Sequence, residues 1–110
     1  MSFDVSLTDG AMSDIRGILQ WIGSRSRTGA ETWYRSWRNV LQAIRDRADQ
    51  FGVAPESDDH PELIRHALFK TRRGRSYRAL FIIRDRNVFV LHIRGPGQDL
   101  LRSDEIQNSH

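Results

Sequence analysis

Arginine is the residue type with the most chemistry to offer in this chain, and two arginines stand out by position. Arg78 opens one apolar run, Tyr77 to Arg84, and Arg94 closes the next, Val88 to Arg94, with His92 two residues before it. Guanidinium groups projecting side by side present forked donors that match a phosphate or a carboxylate. Lys70, Arg72, Arg73 and Arg75 precede the first run and would extend such an anion-binding surface. Arginine cannot serve as an ordinary base, because its guanidinium stays protonated in proteins. His60, His66, His92 and His110 show no metal-ligand spacing, so neither a metal site nor another cofactor is expected.

The basic residues are concentrated. Residues 1–64 carry seven Lys/Arg against ten Asp/Glu, residues 65–94 carry nine against one, and residues 95–110 carry one against three. A local excess of that size marks an electrostatic footprint for an anionic partner, such as nucleic acid or an acidic peptide. A solvated basic face kept for solubility would look the same.

The elements that must position these groups follow from periodicity. Phe3, Val5 and Leu7 alternate with polar residues, the pattern of a short half-buried strand. Thr8 and Asp9 offer N-caps to an amphipathic helix with Ala11, Ile15, Ile18, Leu19 and Ile22 on one face and Asp14, Arg16 and Gln20 on the other. Thr28 to Glu31 has the form of a capping box, and Trp33, Trp37, Val40, Leu41, Ile44 and Phe51 keep helical spacing as far as Gly52. This predicts a second helix, Thr28 to Phe51, antiparallel to the first, with its aromatic stripe in the core. Val53 to Glu62 has two prolines, two aspartates, two glutamates and no periodicity, and reads as a surface loop. Three strands then follow: Leu63 to Lys70, Tyr77 to Arg84 and Val88 to Arg94. The expected fold is α+β, in the order β-α-α-β-β-β, with a helical hairpin on one face of a mainly antiparallel four-stranded sheet.

The turn after Arg84 decides which side chains meet. A two-residue loop, Asp85-Arg86, requires positive φ at residues poorly suited to it, whereas a three-residue loop ends in the more tolerant Asn87. With the longer loop, residue 84 pairs with 88 and 78 with 94. Arg78, His92 and Arg94 then share a face with Leu80, Ile82, Val88 and Val90, while Tyr77, Ala79, Phe81, Ile83, Phe89, Leu91 and Ile93 lie under the helices. Like charges directly opposed across a ladder are unfavourable, which suggests either an anion site or pairing of each arginine with an acid such as Asp99. The strip Leu80, Ile82, Val88 and Val90 needs a cover. Leu100, Leu101 and Ile106 are the only large apolar residues after Arg94, so a partner is expected to complete it.

Length and composition bound the rest. A chain of 110 residues that is 38% hydrophobic supports one core, so 1–110 is expected to be a single domain. With no cysteine, a disulfide scaffold, a thiolate zinc site and a cysteine nucleophile are excluded, and the cytoplasm is the expected compartment. The longest apolar run, Ala79 to Ile83, is far short of the about 20 residues of a membrane span, so neither secretion nor membrane association is expected.

The element order resembles the RelE/ParE toxin superfamily, the toxin halves of type II toxin–antitoxin (plasmid stabilisation) systems. The likeness rests on Tyr77-Arg78 opening one meander strand, His92-x-Arg94 closing the next, and Asp99-Leu100 beyond. It implies a single toxin domain silenced by a cognate antitoxin and acting on gyrase or on the translating ribosome and its mRNA. It also implies that the antitoxin covers Leu80, Ile82, Val88 and Val90. Arg78 matches the arginine that the nuclease branch sets on the scissile phosphate, and Arg94 lies near a second such position, which makes Arg78, Arg94 and His92 the candidate catalytic residues. Lys70, Arg72, Arg73 and Arg75 would hold nucleic acid. Nuclease members carry a Tyr or His after the last strand as the acid or base, whereas this chain has Gly95-Pro96-Gly97-Gln98-Asp99, leaving only His66 and His92 as substitutes. The resemblance therefore favours the non-nuclease branch. A metal-independent endoribonuclease and a non-toxic basic RNA-binding module are the alternatives.

Overall fold

The computed structural model describes residues 2–71 and 74–96. The chain runs β1 (Asp4–Leu7), α1 (Asp9–Gly23), α2 (Arg27–Arg47), two 3-10 turns (Ala48–Gln50 and Pro55–Asp59), β2 (Arg65–Phe69), β3 (Tyr77–Arg84) and β4 (Asn87–Arg94). The sheet has the order β1-β4-β3-β2, with β1 parallel to β4 and the other pairs antiparallel. This is the expected α+β fold, two helices on a four-stranded sheet. No helix among the described residues is long and apolar enough to cross a membrane.

Thr8 caps α1 as expected. Its hydroxyl accepts from the Ala11 N–H at 3.2 Å and donates to the Leu91 carbonyl at 2.9 Å, fastening the helix start to β4. The second cap differs from expectation. Ser26, in extended backbone, accepts from the Gly29 N–H at 2.9 Å, so α2 begins at Arg27 rather than at Thr28. A Cβ at Gly29 would lie 3.1 Å from the Ser26 hydroxyl and 3.2 Å from an Ile22 methyl, so glycine lets the hairpin close tightly there. The aromatic stripe is core: Trp33 and Trp37 are 2% exposed, and both pack on Phe69 of β2 with ring centroids 5.6 and 5.8 Å apart. Leu41 is half-buried.

The β3–β4 register departs from expectation twice. Arg84 pairs with Asn87, so the loop is the two-residue Asp85-Arg86, and Asp85 takes φ 58°. A short polar side chain tolerates this left-handed backbone, and tight hairpin turns with positive φ follow the strand twist. Further along, Phe81 pairs with Val90 but Leu80 with His92, leaving Leu91 as a bulge. The bulge shifts the ladder by one residue and returns Arg78 to a position opposite Arg94.

Between turn and bulge the faces of β4 are therefore exchanged. Val88 and Val90 lie under the helices with Ala79, Phe81 and Ile93, while Phe89 and Leu91 join Leu80 and Ile82 on the far side. The far side is not open. Residues 53–62, expected to be a plain surface loop, together with Leu63 and Ile64, expected to open the next strand, fold across it as a strap whose Ala54 and Ile64 pack on Leu80, Ile82 and Leu91, and β2 begins only at Arg65. Backbone bonds at 2.8 Å from the Ala54 N–H to Ile64 O and at 3.1 Å from the His66 N–H to Gly52 O hold the strap's two ends together.

Candidate functional site

The strap is pinned to β3 by two forks. Arg78 donates to both oxygens of Glu56, at 2.9 and 2.7 Å. Arg84 does the same to Glu62, at 2.8 and 2.6 Å. The Glu56 side chain has no solvent exposure and that of Arg78 is 19% exposed, so the inner fork is a buried ion pair. His66 on β2 joins it with Nδ1 at 3.1 Å from the Arg78 guanidinium. Because arginine has only donors, this Nδ1 accepts. Burial, and next the Arg78 charge, hold His66 below its ordinary pKa, with Glu56 pulling the other way.

Arg78 and Arg94 are thus brought directly opposite each other as expected, through a different register. The alternative of pairing with an acid is realised for Arg78, but through Glu56 of the strap. His92 serves a different contact. Its Nδ1 lies 2.9 Å from an Asp14 carboxylate oxygen that also accepts the Ile93 N–H at 2.9 Å. Asp14, expected on the solvent face of α1, instead ties that helix to the end of β4 beside the bulge. The other His92 nitrogen, Nε2, is shut off from solvent and has no hydrogen-bond partner among the described residues.

The basic surface is reduced in the same way. Arg65 donates to the Phe51 carbonyl, Arg86 donates to Ser2 O and stacks on Phe3, and Arg78 and Arg84 are neutralised by glutamates. Lys70 and Arg75 are exposed, and Arg72 and Arg73 lie outside the described residues. Burial pushes the Tyr77 phenol above its ordinary pKa, with Arg75 opposing. Among the described residues no group of three His, Asp or Glu could hold a metal ion.

The expected partner strip does not form. Val88 and Val90 are fully buried beneath the helices, and Leu80 and Ile82 are 0% and 1% exposed beneath the strap. The large apolar residues that do reach solvent at this edge are Leu68 on β2, directly across from Arg78 and 60% exposed, with Leu63 and Val53 at 52% and 51%. The segment after Pro96, including Asp99, Leu100, Leu101, Ile106 and His110, lies outside the described residues.

Glu56 and Asp14 are the site residues that sequence reasoning missed. One signal was present for Glu56: Glu56 and Glu62 are spaced by six residues, as are Arg78 and Arg84. No protein-family model matches the chain, and no curated protein gives a significant match to it.

Proposed function

We propose that this chain is a toxin of the RelE/ParE kind, silenced by a cognate antitoxin and acting on gyrase or the translating ribosome by binding rather than by cutting RNA. Support for the kinship comes from the β-α-α-β-β-β order with Arg78 opposite Arg94 across the last two strands. The observation that favours the non-nuclease branch is the Arg78–Glu56 fork, in which both carboxylate oxygens already occupy the guanidinium that a scissile phosphate would need. His92, bound to Asp14 with its second nitrogen closed off, adds no acid or base to replace the missing one.

The test is tightly controlled expression in a bacterial host, with and without the neighbouring reading frame. Growth arrest relieved by the neighbour, with intact mRNA and altered plasmid supercoiling, is expected for a gyrase target. Stalled translation with intact mRNA is expected for a ribosomal one. Ribosome-dependent mRNA cleavage would restore the endoribonuclease alternative, and unimpaired growth would refute the toxin reading.

A further inference from the structure

The helical hairpin and the sheet part at one end of the molecule. There the end of α1, the start of α2, Thr71, Gly74 and Arg75 ahead of β3, and Gly95 and Pro96 after β4 surround a cleft of about 720 Å³. Sites for small molecules typically measure roughly 300–1,000 Å³ and combine apolar walls with a few polar groups. This cleft lies on the helix side of the sheet, away from the Arg78–Glu56 cluster.

Its walls are aromatic. Trp33 and Tyr77, rings edge to face at 5.5 Å, line the inner part, and the Trp33 indole N–H has no hydrogen-bond partner among the described residues. Trp21 lines the cleft from α1 and stays 59% exposed, with Arg25 stacked 4.0 Å from its ring centroid. Arg75 is the only charged residue among the described ones that line the cleft. Among the described residues that line the cleft there is no carboxylate to answer it.

Gly17 supplies an independent observation. It sits inside α1, where glycine is unfavourable relative to alanine because its backbone loses more freedom on folding. Among the described residues a Cβ added there would meet nothing within 4 Å, so their packing gives no reason for glycine. A planar body laid against the bare helix wall does.

We propose that this cleft binds a small aromatic carboxylate, its ring system against Trp21, Tyr77 and the Gly17 backbone and its carboxylate on Arg75. An apolar body alone would leave Arg75 unanswered, and a cation would be repelled by Arg75 and Arg25. The proposal is independent of the toxin reading, because none of these residues belongs to the strap.

The experiment is a titration of the 15N-labelled full chain with 1-naphthylacetate, following the indole N–H signals of its three tryptophans. Saturable shifts are expected at Trp21 and Trp33, with little change at Trp37, which is buried and does not line the cleft. Arg75→Ala should weaken binding about tenfold, as for a lost hydrogen bond to a charged group, without affecting the uncharged 1-naphthylacetamide. Gly17→Leu should fill the cleft and abolish binding while leaving the unfolding midpoint unchanged or raised. Shifts that do not saturate, equal shifts at Trp37, or undiminished binding in Gly17→Leu would overturn the site. Equal affinity for acid and amide would overturn the role of Arg75.

Discussion

A carboxylate with no solvent exposure is tolerated only where its charge is answered in place, and for Glu56 the fork to Arg78 does so. Removing one partner of a buried pair costs about 3–5 kcal/mol, because the other charge stays buried and unmatched. Arg78→Ala is therefore expected to lower stability by about that amount in urea unfolding, and Arg78→Met with Glu56→Leu to recover most of it. A loss of activity in Arg78→Ala alone would thus report folding before chemistry. His66 beside this pair adds a pH dependence. Its folded pKa lies below the ordinary value of 6.5, first through burial and then through Arg78, so below that value the unfolded chain takes up a proton more readily than the folded one. The contribution to stability is full above pH 6.5 and is lost as the pH falls from there through the folded value. Unfolding curves at neutral and mildly acidic pH should show wild type losing more stability on acidification than His66→Gln, which cannot titrate.

At the scale of elements, what could be read from the sequence was what local pattern determines. Tyr77 to Arg84 is a strand over the expected residues, because an apolar run between a Gly-containing turn and a polar turn has few other solutions. The helical hairpin follows from period and caps, with its second cap moved from Thr28 to Ser26. The strap was not legible as an element, since its 3-10 turn has no apolar period and its place is set by Arg78 and Arg84, each 22 residues from its glutamate. The register lay between these cases. Asp85-Arg86 has poor chemistry for a tight turn, yet Asp85 accepts φ 58°, and the Leu91 bulge then undoes the shift for Arg78 and Arg94 but not for Val88 and Val90. The turn is testable by itself. Asp85→Val should lower stability by about 1–2 kcal/mol, the cost of left-handed backbone for a branched residue. Asp85→Gly should be near neutral, since glycine relieves that strain but loses more chain entropy on folding. Thermal unfolding of the two variants separates the outcomes.

For the whole molecule, the strap changes where a partner can bind. A sheet with helices on one face and a bare apolar strip on the other would invite a partner onto the strip, but both faces of this sheet are already covered by the chain itself. A surface accessible without unfolding must use residues outside those two cores, and the apolar candidates beside β2 are Leu68, Leu63 and Val53, with Lys70 exposed at the strand's end. Substitutions at the covered and uncovered positions should therefore separate cleanly. Ile82 is 1% exposed in the core it shares with Leu80, Leu91 and the strap residues Ala54 and Ile64, so Ile82→Asp places an unpaired carboxylate in a closed core and is expected to abolish cooperative unfolding in circular dichroism. Leu68 is 60% exposed, and Leu68→Asp is expected to shift stability by no more than about 0.5 kcal/mol, the usual range for surface changes. The carboxylate would also face Arg78 across the ladder without a buried charge to satisfy. Under the toxin proposal, folded Leu68→Asp protein that no longer binds the antitoxin which that proposal requires would locate the partner at the β2 edge. Full antitoxin affinity in the same variant would direct the search to the basic end at Lys70 and Arg75.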